Sequence, residues 1–194
     1  MRLLEKAVVL FLLALAISSS AWAGEMKLEQ SKDEAYGSTR WRVINIPKTK
    51  DRGRKFDWAE WKIEPIVLQK RDGTTKLGIV IIIRAANSAF GGGSNVLPQA
   101  VDIRIDDRLV TFDRMQRSQD DMYVNGNNYG TATARVTVSD VDVIRDLAKS
   151  KEAWMIGYTK VGEQDRRNIE VPEKWKEAIT MALAQYDSLI SKKP

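Results

Sequence analysis

The stretch 76-KLGIVIIIRAANSAFGGGSN-95 decides the fold, because an apolar run leading into three glycines has two meanings. It can be a strand feeding a phosphate-cradling loop, or a strand that simply ends. A Walker loop needs G-x-x-x-x-G-K-[ST], since the lysine reaches the phosphates and the hydroxyl holds magnesium. Here Gly91, Gly92 and Gly93 are followed by Ser94 and Asn95, with no lysine. A dinucleotide fingerprint needs G-x-G-x-x-G opening a helix, and its third glycine falls on Val96. The next residues, NVLPQAVDIRID, read as a strand, so no helix N-terminus is offered to an anion. The glycines are expected to be a connection between strands, or an exposed functional loop. In LGIVIIIRA, Ile79 to Ile83 are β-branched and the run is too short for a helix without a polar face, which makes it a strand. Because it is apolar on both sides, that strand is expected to be covered on both. It is therefore central in its sheet, or one face lies under a helix.

Working outward, Asp72-Gly73 is a hairpin signal that joins this strand to the preceding FDWAEWKIEPIVLQK. Before that, PKTKDRGRK reads as a solvated loop, and RWRVINI as the first strand. Downstream, Val101, Ile103 and Ile105 alternate with Asp102, Arg104 and Asp106, a half-buried strand that turns into LVTFDRM. Asn125-Gly126 suits a type I′ turn, and beyond it Ala132, Ala134, Val136 and Val138 share one face. Ser139 fits the N-cap of a short helix with Val141, Ile144, Leu147 and Ala148 on one side. A strand AWMIGYTKV and a hairpin partner NIEV come next. Pro172 suits the first position of a long helix whose stripe runs from Trp175 to Ile190. About eight strands and two helices predict a mainly β fold, a β-sandwich or curled antiparallel sheet. It carries one short helix and a long C-terminal amphipathic helix over 173–191.

The N-terminus predicts where the chain works. Arg2 and Lys6, the eleven-residue apolar run AVVLFLLALAI, and the small-x-small pattern at Ala21 and Ala23 read as a signal peptide over residues 1–23. The run is short for a membrane span, so no stable anchor is expected after cleavage. Residues 24–39 are polar and aperiodic and read as a flexible leader, with a single domain over 40–194. The chain has no cysteine, which favours a Gram-negative periplasm over a disulfide-using exterior and removes any lipid attached through a thiol. Without Arg2, Lys6 and Glu5 the chain has 29 basic and 25 acidic residues, a net +4. So mild an excess is not the footprint of a nucleic-acid binder.

Composition also excludes chemistries. With no histidine and no cysteine, the Ser/His/Asp and Cys/His nucleophile systems are absent, as are the preferred ligands of zinc, copper and haem. No metal and no cofactor is expected. Carboxylates remain for a glycan hydrolase, which needs two acids roughly 5 to 10 Å apart. The densest cluster, Asp106, Asp107, Asp113, Asp120 and Asp121, straddles turns and reads as solvated. The most suggestive binding segment is RGRKFDWAEWK, where Arg52, Arg54 and Lys55 precede Trp58 and Trp61. Tryptophans beside arginines suit an envelope glycan or a protein surface, though on a strand Trp58 and Trp61 take opposite faces and one side is expected to be core. The Asn125, Asn127 and Asn128 tip is explained by turn chemistry.

LGIVIII, VDIRIDDRLVTF and VSDVDVIRDLAKSKEAWMIGYT, between about residues 77 and 159, follow an order that resembles the invasion-associated locus B family of bacterial periplasmic proteins. The resemblance is one of layout and implies an exported β-sandwich with an accessory role in the envelope or at the host, without known chemistry. No functional residue is carried over from it. The expectation is a non-enzymatic exported binding or accessory protein acting on an envelope protein or glycan. A carboxylate-dependent glycan hydrolase and a self-assembling envelope subunit are the alternatives.

Overall fold

The computed structural model describes residues 24–52, 58–87, 100–112, 115–124, 127–158 and 167–192. The fold is mainly β, with antiparallel sheets, one short helix and one long C-terminal helix. The larger sheet has seven strands in the order β1 (Lys27–Asp33), β2 (Ser38–Ile44), β4 (Trp58–Gln69), β5 (Thr75–Asn87), β9 (Asn127–Val138) and β8 (Met115–Val124). The seventh, β3 (Thr49–Arg52), pairs with the first four residues of β4. A four-stranded sheet runs β11 (Arg167–Glu170), β10 (Ala153–Tyr158), β6 (Ala100–Ile105) and β7 (Arg108–Phe112).

β5 lies in the interior of the large sheet, between β4 and β9. Its inward residues Leu77, Ile79, Ile81 and Ile83 are buried, and removing each side chain from water contributes about 1.5–3 kcal/mol. The other face is only half-buried at Gly78, Val80 and Ile82, which corrects the expectation that both faces are covered. Helices lie on the inward side alone. α1 (Val141–Lys149) packs on β5, and α2 (Glu173–Ile190) packs on α1, β2, β4 and β5. Both helices and both sheets contribute to one buried core.

The hairpin signal at Asp72-Gly73 holds. Gly73 takes φ 78°, a left-handed value that a Cβ would disfavour, while the Asp72 carboxylate accepts from Thr74 N at 2.8 Å. A second local rule explains Pro65. β2 pairs with residues 66–69 of β4 and β3 with residues 58–61, so residues 62–65 face a break in that ladder. A proline without an N–H loses nothing there. Between β2 and β3 the chain swings away from β4 through Asn45, at φ 62°, and Pro47, whose carbonyl accepts from Trp175 Nε1 of α2 at 2.6 Å.

Three sequence expectations change. Residues 24–39 are not a loose leader, since Lys27–Asp33 pair along their length with β2. Only Met26 and Leu28 of that segment pack against the core, so pairing and not apolar pattern makes it a strand. PKTKDRGRK contains β3, again held by its partner strand. The short helix is capped by Asp140 and not Ser139, because the Asp140 carboxylate accepts from Asp142 N at 3.0 Å and Val143 N at 3.3 Å. The long helix starts at Glu173, inside the expected range 173–191, with Pro172 as its extended N-cap and not its first helical residue, and it ends at Ile190, one residue early.

α1 is fixed to α2 by Arg145, which donates through both terminal nitrogens to the Asp187 carboxylate. That hydrogen bonding, helped by the guanidinium charge, holds Asp187 below the ordinary carboxylate range and raises Arg145.

Candidate functional site

Of the predicted binding residues Arg52, Arg54, Lys55, Trp58 and Trp61, only the Trp61 side chain is described, and it is not on a surface. Trp61 is 0 % exposed and is core, because it shares the inward side of β4 with Ile63 and Val67, between Thr49 and Ile83 in register. Its Nε1 has no hydrogen-bond partner among the described residues, a cost of about 1–3 kcal/mol that the burial of the indole offsets. Trp58 opens β4 opposite Arg52 of β3, but the side chains of both lie outside the described residues, as do Arg54 and Lys55 entirely. Gly91, Gly92, Gly93, Asp113 and Asn125 lie outside them too.

A tryptophan-arginine arrangement is described on the outward face of the four-stranded sheet. Register aligns Glu170, Trp154, Arg104 and Leu109 in one row across β11, β10, β6 and β7. The next row is Asn168, Ile156, Asp102 and Thr111. The Arg104 guanidinium stands 5.9 Å from the centre of the Trp154 ring, within cation–π range. Glu152, just before β10, accepts from Arg104 and from Trp154 Nε1, both at 2.6 Å on the same carboxylate oxygen. Neither the indole N–H nor the guanidinium is left to drift, so the ring is held in one orientation. Beside Arg104, Leu109 is 56 % exposed, one of three large exposed apolar side chains among the described residues. In the second row Ile156 and Asp102 are buried.

The backbone that carries Glu152 is held from two sides. Asp106, in the β6–β7 turn at φ 48°, accepts on one oxygen from Lys151 N at 3.1 Å and Glu152 N at 3.0 Å. Aspartate tolerates this left-handed geometry better than most residues, and the two bonds offset its strain. From the opposite side, buried Lys176 of α2 donates to Ser150 O at 2.9 Å and Lys151 O at 3.4 Å. Residues 150–152 are thus anchored through both their carbonyls and their N–H groups.

Adjoining this junction is an open depression of about 640 Å³ lined by Ile105, Asp106, Asp107, Arg108, Asp146 and Lys149, together with Ser150. Of its three acids, Asp106 is engaged by backbone N–H groups and Asp146 by Arg108 at 3.0 Å. That leaves Asp107 without a second free carboxylate beside it in the lining. Among the described residues no group of three or more acidic side chains is placed to hold a metal ion.

Sequence reasoning passed over Arg104 and Trp154 because it treated them as positions in strand patterns 50 residues apart. The available signal was the outward parity of Arg104 in VDIRID, together with a tryptophan in AWMIGY, but only the β6–β10 register places them side by side. No family model, no curated protein and no solved structure matches the chain.

Proposed function

We propose that the chain is an exported, non-enzymatic accessory protein that engages a protein partner of the cell envelope through the Trp154–Arg104–Leu109 surface. The export reading rests on residues 1–23, and the layout likeness to the invasion-associated locus B family points the same way. The carrying observation is the row Trp154, Arg104 and Leu109, with the indole N–H of Trp154 and the guanidinium of Arg104 both held by Glu152. Tryptophan and arginine are the residues over-represented at interface hot spots, and an immobilised side chain loses little entropy on binding. Arg104 already stands over the indole, so a sugar would have to displace it to stack there. A protein partner that covers Leu109 and meets the charged rim does not.

The test places a photocrosslinking amino acid at Leu109 and, as a control, at Tyr36 on the far β1–β2 turn. One envelope protein captured at 109, absent at 36 and lost with Trp154→Ala, is the expected result. Capture of nothing at 109, or the same products at both positions, overturns the reading.

A further inference from the structure

A second surface, independent of the first, lies on the outward face of the seven-stranded sheet. Neither helix packs there, and its aliphatic residues sit between cations across the register. Leu68 lies between Arg40 and Lys76, Ile66 neighbours Arg42, and Ile82 lies between Lys62 and Arg135. Ile66, Leu68, Val80 and Ile82 are each half-buried, so this is a shallow apolar strip with no pocket in it.

Among the described residues of this face cations outnumber acids, and Asp33 of β1, opposite Ser38, accepts only from Tyr36 N. Glu60 and Glu64 of β4 are paired with Lys48 at 2.7 Å and Lys62 at 2.6 Å, and Glu29 of β1 with Arg42 at 3.4 Å. Arg40, Lys76, Arg84 and Arg135 are exposed, and their side chains have no ion pair or hydrogen bond with a described residue. Four unspent cations therefore surround aliphatic side chains whose neighbouring acids are already neutralised.

Spacing decides what such a face can bind. Arg40 and Lys76 flank Leu68 two strand steps apart, roughly 10 Å, and Arg84 and Arg135 are diagonal neighbours on β5 and β9 at roughly 7–8 Å, whereas Lys76 and Arg84 are roughly 26 Å apart along β5. A single phosphate can reach the two members of one pair but cannot span both pairs, so a ligand that engages all four cations must carry distributed negative charge. The aliphatic strip between the cations separates a lipid surface from a soluble polyanion, which has no apolar component to place against it. We infer that this sheet face docks on the anionic headgroup surface of a phospholipid bilayer. This goes beyond the proposed protein contact and does not depend on it, since the two surfaces share no residue.

The test is co-sedimentation of the chain from Gly24 onward, which contains every buried core residue among the described residues. Vesicles of phosphatidylcholine with about 30 % phosphatidylglycerol are compared with phosphatidylcholine alone. Binding to the anionic vesicles only, lost near about 0.5 M salt, is expected. The pair Arg84→Glu with Arg135→Glu should weaken it at least about tenfold. The pair Lys174→Glu with Lys192→Glu changes net charge equally but leaves this face alone, and should bind as the unaltered chain does. Far-UV circular dichroism melts verify that both variants fold. No binding to anionic vesicles, equal binding to neutral ones, or equal loss in both variants overturns the inference. So does retention on a soluble acidic polysaccharide without vesicle binding. Failure here leaves crosslinking at Leu109 unaffected, so the two surfaces are tested separately.

Discussion

Trp61 and Trp154 occupy comparable places, each on a strand flanked on both sides by others, yet they do opposite things. Trp61 points inward, is 0 % exposed and leaves its Nε1 without a partner among the described residues. Trp154 points outward, is half-buried, gives its Nε1 to Glu152 and carries Arg104 beside its ring. An indole in a core contributes area and tolerates an unsatisfied N–H; an indole on a surface contributes directed contacts. Trp175, also 0 % exposed, gives its Nε1 to Pro47 O, so it is the face an indole takes in the fold, and not its neighbours in sequence, that tells which role it has.

Substitutions sharpen that contrast, beginning with the largest expected effect. Trp61→Ala should cost about 3–5 kcal/mol in denaturant unfolding, the usual range for emptying a large core site. Trp61→Phe should cost much less, because it removes the unpaired N–H along with some volume. Equal losses for the two would mean that the indole N–H has a partner after all. Lys176→Met keeps an apolar stem but strips the ammonium from Ser150 O and Lys151 O, and should cost about 1–3 kcal/mol. Because those carbonyls belong to the segment bearing Glu152, capture of a partner at Leu109 should fall as well, although Lys176 is far from the patch surface.

Trp154→Ala should cost only about 1 kcal/mol of stability, from the lost cation–π contact and partial burial, while abolishing capture at Leu109. A loss as large as that of Trp61→Ala, read by the same denaturant titration, would erase the distinction. Asp140→Ala should cost about 1 kcal/mol through the α1 cap, and would report on the core side alone. The smallest effect is electrostatic. Asp187 titrates lower in the folded chain than in the unfolded one, so its pairing with Arg145 stabilises above about pH 4. That contribution is lost as pH falls through the folded value. Thermal melts of the unaltered chain and of Asp187→Asn should converge on acidification; a gap that widens toward low pH contradicts the pairing.

Much of the fold was legible in local pattern. The turn at Asp72-Gly73, the alternation in VDIRID and the stripe of the last helix each reflect a local rule whose physics acts within a few residues. β1 and β3 were not legible, because KLEQSKD and TKDR hold their shape through partner strands and bury little of their own. The candidate site was missed for a related reason. RGRKFDWAEWK offered arginine and tryptophan close in sequence, whereas Arg104 and Trp154 meet only through strand pairing.

By itself the sequence determined the mainly β class, the long amphipathic helix and the chemistries that a chain without histidine or cysteine lacks, since composition and short-range periodicity suffice for these. Tertiary structure alone decided which tryptophan is core and which is surface. It also placed on one sheet face four cations without an ion pair to a described residue, and let Lys176 brace a segment 25 residues earlier. Side-chain direction alternates with every residue of a strand, so the face a residue takes depends on register, and register is set by partners distant in the chain.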